Sequence, residues 1–366
     1  MTDIAVVGAG IIGLAHAYLA AKLGKRVTVY EKNPAASGAS IRNFGMLWPI
    51  GQPAGAMYEL ALRSREIWLD LLKEASLPYH ATGSLHCAYR QDEAAVGREF
   101  ADCGKGLGYA CDWLTAEETL TKTSAIRSEG LLGALWSPTE MTVDPPQVMA
   151  RIPEFLKERY GVEFRFNTPV SDIGSLNAAA VIVAGGDDFQ TLYPELFAAQ
   201  GLTRCKLQML RTEAQPQEWS LGPSLAFGLT FRHYPTFSIC QSLTALKARV
   251  TEETPEFDKW GIHVMASENS ARQIILGDSH EYGLKVNIFD RSHVNELILG
   301  YAQKYLRVPD LKIAETWHGV YAKHPEKPFL RLAPSKNVRV VTVTSGIGMT
   351  LSLGLAEQTH KELGIL

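Results

Sequence analysis

The sequence has little cysteine, no long apolar run and no long run of like charge. The five cysteines form no CxxC pair and no cluster with histidine, which predicts reduced thiols, a cytoplasmic location and no metal site. No stretch of about eighteen apolar residues occurs, so we expect no membrane-spanning helix. The net charge of −3 is spread along the chain, which argues against a nucleic-acid partner. With 366 residues, 46% of them hydrophobic, the chain is long enough for two domains.

The first thirty residues follow the order strand, glycine turn, helix, strand and acid. The apolar run Ile4–Val7 predicts a buried parallel strand, and it begins too early to leave room for a signal peptide. GAGIIG at residues 8–13 follows it and opens a helix predicted over residues 11–23. A second strand over residues 26–30 ends at Glu31. This arrangement is typical of a dinucleotide-binding βαβ unit.

Each part of this unit has a physical role. Gly8 permits the tight turn, Gly10 lets the backbone approach a pyrophosphate, and Gly13 lets the helix pack closely on the strand. The helix N-terminus offers unpaired N–H groups and a partial positive charge to the phosphates. The Glu31 carboxylate can accept hydrogen bonds from ribose hydroxyls. The segment therefore predicts dinucleotide binding, and the choice between FAD and NAD depends on other segments.

Three further segments favour FAD. SGASIRNFG at residues 37–45 supplies hydroxyl and backbone donors for a phosphate, and its Arg42 adds a charge. Residues 161–170 predict a strand and turn that bring Val170 towards adenine, and a buried strand over residues 180–184 runs into two glycines. These segments would pass close to the cofactor.

The third segment lies near the C-terminus. Residues 338–344 predict a strand, and SGIGMT at residues 345–350 opens a helix that runs to about residue 363. The N–H groups of that helix can hold negative charge on a reduced flavin. An NAD dehydrogenase would not need this second strand–glycine–helix unit. The residues predicted to bind FAD are Gly8, Gly10, Ile11, Ile12, Gly13, Glu31, Lys32, Ser40, Arg42, Asn43, Phe44, Gly45, Val170, Ala184, Gly185, Gly346, Ile347, Gly348, Met349 and Thr350.

Other parts of the chain give local signals. Apolar spacing predicts a helix over residues 57–75, and Asp144 before Pro145 is a plausible cap for a helix over residues 145–160. Residues 202–276 contain short β-rich runs broken by Pro, Gly and Asn, which predicts an antiparallel sheet.

The motifs VVGAGIIG, SGASIRNFG, NTPV, VIVAGG, KLQMLRT, IILGDSHEYG, WHGVYAKHPEKP and TSGIGMTLSLG, in this order, resemble the D-amino-acid oxidase superfamily, in its glycine oxidase and sarcosine oxidase branch. The resemblance implies an α/β fold (α+β overall) with a Rossmann-like FAD-binding domain and a substrate domain on a mostly antiparallel sheet. The FAD-binding domain would take residues 1–85, 145–196 and 325–366. The substrate domain would take residues 86–144 and 197–324.

The resemblance also implies the reaction. A C–H bond beside an amine lies over the flavin, hydride passes to flavin N5, and the resulting imine hydrolyses. Amino-acid-oxidising members place an arginine after the tryptophan–glycine of the WHG segment to clamp the substrate carboxylate; here Tyr321 stands at that place. The histidine–tyrosine–arginine that precedes the last helix in glycine oxidases is replaced by Thr344-Ser345-Gly346. The candidates for binding the substrate instead are Arg232, His233, Tyr234, His263, Tyr321, Lys323 and His324.

These departures favour a small anionic amine, and the motif wording resembles a subgroup associated with phosphonate breakdown, whose proposed substrates are N-methylated aminoethylphosphonates. The cysteine that some sarcosine oxidases use to attach FAD has no counterpart in residues 318–324, so we expect noncovalent FAD. The electron acceptor is oxygen or another compound. For oxygen, Lys285 or Lys323 is a candidate for a positive charge near the flavin. Three alternatives stay open: a glycine or sarcosine oxidase, an NAD-dependent dehydrogenase, and a flavin-binding protein without turnover.

Overall fold

A computed structural model describes residues 2–366 of the chain. The strands are β1 (Thr2–Val7), β2 (Val27–Tyr30), β3 (Met46–Leu47), β4 (Ser84–Ala88), β5 (Asp112–Leu114), β6 (Gly133–Ser137), β7 (Met141–Thr142), β8 (Glu163–Arg165), β9 (Ala178–Val183), β10 (Thr203–Ala214), β11 (Ser224–Phe227), β12 (Met265–Glu268), β13 (Gln273–Gly277), β14 (Glu281–Gly283), β15 (Ile313–Lys323), β16 (Phe329–Ser335) and β17 (Val338–Val343). The helices are α1 (Ile11–Lys22), α2 (Ala56–Glu74), α3 (Gln91–Gly106), α4 (Ala116–Lys122), α5 (Pro145–Tyr160), α6 (Pro194–Ala198), α7 (Leu243–Glu253), α8 (Pro255–Lys259), α9 (Ser292–Tyr305) and α10 (Gly348–Glu362).

A six-stranded sheet has the order β16-β17-β9-β1-β2-β8. Its pairs are parallel except β16–β17, and Val6 at its centre pairs with Val29 on one side and Ile182 on the other. Helices α1 and α10 pack on the face of β1 that carries Ile4 and Val6, and Ala5 on the other face packs in a core with Phe189 and Phe197. Strand β1 is therefore buried on both faces, as its unbroken apolar run predicts. This is the Rossmann-like half of the predicted fold.

A second sheet of nine strands has the order β14-β10-β13-β12-β11-β4-β6-β5, with β15 paired to β10. Its pairs are antiparallel except β11–β4. A core containing Phe100, Phe227, Phe231 and Phe237 packs beside it. The two sheets confirm the predicted fold class, a Rossmann-like unit joined to a mostly antiparallel sheet.

We propose the domain division that the sequence predicts. All six strands of the first sheet come from residues 1–85, 145–196 and 325–366. Strand β4 belongs to the second sheet and begins at Ser84. The first segment of the FAD-binding domain therefore ends just before Ser84 rather than at residue 85.

Helices α1, α2 and α5 lie within one residue of their predicted bounds, and the Asp144 side chain caps α5 by accepting from Gln147 N at 3.4 Å. The prediction of strands throughout residues 202–276 was wrong in part. Between β11 and β12 the chain forms two 3₁₀ turns and the helices α7 and α8. The physical signal was present in α7, because Leu243, Leu246 and Val250 repeat at helical spacing and are buried together.

No helix within residues 2–366 is both long enough and apolar enough to cross a membrane.

Candidate active site

A cavity of about 720 Å³ lies at the carboxyl ends of β1, β2 and β9 and is closed on its far side by residues of the second sheet. This is where open parallel sheets bind ligands, because the strand-to-helix turns open there. Its volume lies within the range of about 300–1,000 Å³ that small-molecule sites occupy. Its position and its volume make this cavity the candidate ligand site in the part of the chain that the structure describes.

The glycine turn after β1 forms one wall. Gly8 has φ +105°, and a Cβ there would lie 2.4 Å from the Ala184 carbonyl oxygen. A Cβ on Gly13 would lie 1.9 Å from Gly8 O, so Gly13 serves helix packing and lies outside the cavity lining. A Cβ on Gly10 would meet only Ser40 Oγ, at 3.3 Å, and would otherwise project into the cavity. Gly10 is therefore the glycine whose missing side chain leaves room for a ligand.

Glu31 lies at the end of β2 with its carboxylate buried at 8% exposure. Oε2 accepts from Ala9 N at 2.9 Å, while Oε1 accepts from Asn33 N at 2.9 Å and from Asn33 Nδ2 at 3.1 Å. A carboxylate has about four acceptor positions, so about one is left, on Oε2. That position suits a ribose hydroxyl.

Replacing Glu31 with glutamine is expected to weaken FAD binding by about tenfold or more. The amide retains one acceptor oxygen, but the charge-assisted bond to a ribose hydroxyl is lost, and such a bond contributes about 1.5–3 kcal/mol. FAD titration followed by flavin fluorescence would measure this. Glu66→Gln, on the exposed face of α2, is the matched control, and unchanged affinity in Glu31→Gln would contradict the ribose contact.

The segment after β2 supplies most of the next wall. Ser40, Arg42, Asn43 and Phe44 line the cavity, and Ser40 Oγ accepts from Ile11 N, the first N–H of α1, at 3.0 Å. Gly45 lies outside the lining, because its Cβ position is 2.0 Å from the Val143 carbonyl oxygen. Its predicted cofactor role is thus replaced by a packing role.

The remaining predicted cofactor residues lie along the same cavity. The lining residues among them are Ile11, Ile12, Lys32, Val170, Ala184, Gly185, Gly346, Ile347, Gly348, Met349 and Thr350. Lys32 pairs with Asp188 at 2.8 Å. Helix α10 begins at Gly348, three residues later than the sequence indicated, and points its N-terminus at the cavity.

Two of the seven predicted substrate residues line the cavity, Tyr234 and Tyr321. Tyr321 is half-buried and lies across from the turn that opens α10, where a Cβ on Gly346 would be 3.3 Å from its hydroxyl oxygen. Burial raises the pKa of both phenols above the usual range. Both side chains therefore stay protonated and can donate a hydrogen bond into the cavity.

Arg232, His324 and Lys323 lie outside the lining. Arg232 pairs with Asp258 at 2.5 Å and donates to Ile262 O at 2.7 Å, so its guanidinium holds α8 in place. His324 Nδ1 accepts from Glu326 N and Lys327 N at 2.9 and 2.8 Å, which fixes the turn after β15. Arg232 and His324 therefore hold neighbouring segments in place, because their polar atoms already have hydrogen-bond partners within the fold.

His233 and His263 lie behind Tyr234 and form a cluster with two residues that the sequence did not single out, Asp278 and His280. The rings of His233 and His263 stack with centroids 3.9 Å apart, and His263 Nε2 lies 3.0 Å from Asp278 Oδ1. Burial is the main cause that lowers the pKa of His233 and of His280. We call these four residues the histidine cluster.

Several lining residues were missed from the sequence. Trp48, Met265 and Arg204 line the cavity, and Trp48 Nε1 has no hydrogen-bond partner among residues 2–366. Trp48 lies in no motif, and its position depends on a turn that only the tertiary structure sets.

The residues present fit FAD. Gly10 leaves the space a pyrophosphate needs at the N-terminus of α1, and Glu31 retains an acceptor for a ribose hydroxyl. A second helix N-terminus, that of α10, opens onto the same cavity. These features are the ones that an FAD-dependent oxidoreductase requires to hold its cofactor.

The comparisons with known proteins agree. The chain belongs to the DAO family of FAD dependent oxidoreductases, which it matches over residues 3–361. It is 26% identical to a glycine oxidase from Geobacillus kaustophilus over 354 residues, which cover 90% of this chain and 86% of that protein. The crystal structure of glycine oxidase from Bacillus cereus superposes with a TM-score of 0.79 at 19% identity, covering 100% of this chain and 96% of that one. An α-glycerophosphate oxidase from Mycoplasma pneumoniae with FAD bound superposes with a TM-score of 0.75 at 15% identity, covering 99% and 94%.

Proposed function

We propose that this chain oxidises a small anionic amine at the carbon beside nitrogen, with an N-methylated aminoethylphosphonate as the substrate. Bound FAD supplies the hydride acceptor, and the imine product hydrolyses in water. Oxygen or another acceptor then takes the electrons. The location we propose is the cytoplasm, which rests on the cysteine usage of the sequence.

The observation that carries the proposal is that tyrosines, rather than a free arginine, supply the hydrogen-bond donors at the α10 end of the cavity. Two arginines belong to the lining, Arg42 and Arg204. Arg42 donates to His318 O at 3.2 Å, and Arg204 pairs with Asp187 at 3.0 Å. Arg204 is thus paired with an acid, and Arg42 lies in the segment predicted to bind the cofactor phosphates, so we assign neither to a substrate carboxylate. Phenol donors from Tyr234 and Tyr321 stand there instead.

A phosphonate matches such a wall better than a carboxylate does. It has three oxygens in a tetrahedral arrangement, and separate single donors suit it, whereas a planar carboxylate suits the two-pronged guanidinium. Tyr321 and Tyr234 are two such donors, and the Tyr234 hydroxyl at present lies 3.5 Å from Met265 Sδ, a weak acceptor.

The same residues orient the substrate and exclude water. Phe44, Met265 and Trp48 give the cavity apolar walls, which strengthens hydrogen bonds made inside it. No buried base is required if the amine binds unprotonated. Positioning of the C–H bond is then the main contribution of the protein.

A second candidate is oxidation of glycine or sarcosine. The similarity to glycine oxidase over 90% of the chain favours it. The two candidates differ in the anionic group that the cavity receives.

Anaerobic spectra test the proposal. The purified protein would be mixed in parallel with N-methyl-2-aminoethylphosphonate, sarcosine and glycine, and the flavin absorption followed. Bleaching with the phosphonate alone supports the proposal. Bleaching with sarcosine or glycine but not the phosphonate supports the second candidate and overturns the first. Stopped-flow reoxidation by air then separates an oxidase from a dehydrogenase.

Replacing Tyr321 with phenylalanine is expected to lower kcat/KM for the amine by about tenfold to a hundredfold. The change deletes one hydrogen bond to a charged group, which contributes about 1.5–3 kcal/mol, and leaves the ring packed in the cavity wall. Flavin content should be unchanged. Tyr79→Phe, a partly buried tyrosine outside the cavity lining, is the control. An unchanged kcat/KM in Tyr321→Phe would remove this residue from the substrate site.

A further inference from the structure

The histidine cluster lies beside the α10 end of the cavity and is not explained by packing alone. The rings of His233 and His263 pack against Tyr234, which lines the cavity. His263, Asp278 and His280 are exposed by 2%, 5% and 4%. Three polar side chains are therefore buried together next to the proposed substrate position.

The polar atoms of the cluster are poorly satisfied. One ring nitrogen from each of His233, His263 and His280 falls within 4.8 Å of the others. Both ring nitrogens of His263 and Asp278 Oδ1 are buried without a hydrogen-bond partner among residues 2–366, although the His263 Nε2–Asp278 Oδ1 distance is only 3.0 Å. Leaving a buried polar group unpaired costs about 1–3 kcal/mol. A single ion bound between His263 and Asp278 would give these buried atoms a partner.

His280 has the orientation of a metal-binding histidine. Its Nδ1 lies 3.0 Å from the Gly261 carbonyl oxygen, which fixes the proton on Nδ1 because a carbonyl only accepts. The lone pair is then on Nε2. Metal-ligating histidines almost always have their second nitrogen held in this way.

The buried carboxylate of Asp278 decides whether the cluster attracts an anion or a cation. A second anion placed beside Asp278 would be repelled, and a cation would be attracted. We propose that His233, His263 and His280 bind a divalent transition-metal ion beside the Asp278 carboxylate, zinc being the best match to three imidazoles.

Binding requires a limited rearrangement. Zinc–nitrogen bonds of about 2.0–2.1 Å place tetrahedral ligand nitrogens about 3.3 Å apart. The nitrogens must draw together by up to about 1.5 Å from their present spacing, and His233 must leave its stack on His263. His233 is the partly exposed member, so its side chain has room to turn.

Metal uptake tests the site without any substrate. Protein without a histidine tag would be dialysed against EDTA and then against Zn²⁺ or Co²⁺, and the metal counted by mass spectrometry. We expect one ion per chain, and for Co²⁺ an absorption band at longer wavelength than oxidised flavin absorbs. His280→Ala and Asp278→Asn should each lower the affinity by tenfold or more. His293→Ala, an exposed histidine outside the cluster, should leave it unchanged.

Retained FAD in each variant shows that the fold is intact, because the FAD residues are separate from the cluster. Stoichiometry near zero in the parent protein, or equal uptake by His280→Ala, Asp278→Asn and the parent, overturns the metal site.

Discussion

Replacing Gly10 with valine is expected to give a folded protein that has lost its FAD. Gly10 has φ −69°, which valine adopts, and a Cβ there would meet only Ser40 Oγ at 3.3 Å, the end of a flexible side chain. The polypeptide should therefore tolerate the change. The ligand should not, because the branched side chain occupies the space at the N-terminus of α1 that the pyrophosphate needs.

The expected loss is about a hundredfold to ten-thousandfold in FAD affinity. Displacing the pyrophosphate from the helix N-terminus breaks on the order of two hydrogen bonds to charged oxygens, and each contributes about 1.5–3 kcal/mol. The absorption spectrum of the purified variant, followed by FAD titration, measures it. Gly300→Val is the matched control, because no atom lies within 4 Å of its Cβ position and α9 is outside the cavity.

If Gly10→Val retained FAD at parental affinity, the pyrophosphate could not lie on this turn. If it failed to fold, Gly10→Ala would take its place, with a smaller expected loss. Circular dichroism distinguishes these outcomes, because loss of cofactor alone leaves the secondary structure in place.

The free energy of unfolding is expected to fall steeply between pH 7 and pH 5. His16 in α1 and His360 in α10 are both buried, with ring centroids 5.3 Å apart. Burial is the main cause that lowers their pKa values, to about 4 for His16 and about 3 for His360. The hydrogen bond from His16 Nδ1 to Ile12 O, at 2.7 Å, opposes the shift but does not cancel it.

The direction of the pH effect follows from the two lowered pKa values. Both histidines are neutral in the folded protein, and their pKa values rise towards about 6.5 on unfolding. The unfolded chain therefore binds protons first as the pH falls, and stability is complete above about pH 6.5 and lost towards the folded pKa values. By pH 5 each group costs about 2 kcal/mol, or about 4 kcal/mol for the pair.

Urea unfolding at pH 7 and pH 5 measures this effect. His360→Leu replaces the group with a side chain that does not titrate, so the difference between the two pH values should shrink by about 2 kcal/mol. His80→Leu, at an exposed position, should keep the parental difference. An unaltered pH dependence in His360→Leu would show that His360 does not resist protonation in the fold.

The βαβ unit was predictable because its signals are local. Ile4–Val7, the glycines and Glu31 follow one another in about thirty residues, and each residue type is required by backbone geometry or by phosphate chemistry. The terminal strand and helix were predictable for the same reason. Helix α7 was missed although its apolar spacing is local, because the surrounding composition indicated strands.

The sequence by itself determined the fold class and the cofactor, FAD. It could not determine which residues meet behind Tyr234, since His233, His263 and His280 come from three separate segments. Nor could it assign Arg232 and His324, whose polar atoms are taken by Asp258, Ile262 O and the backbone of residues 326 and 327. Only the tertiary structure decided these points, because long-range packing sets which polar groups find partners and which are left facing a ligand.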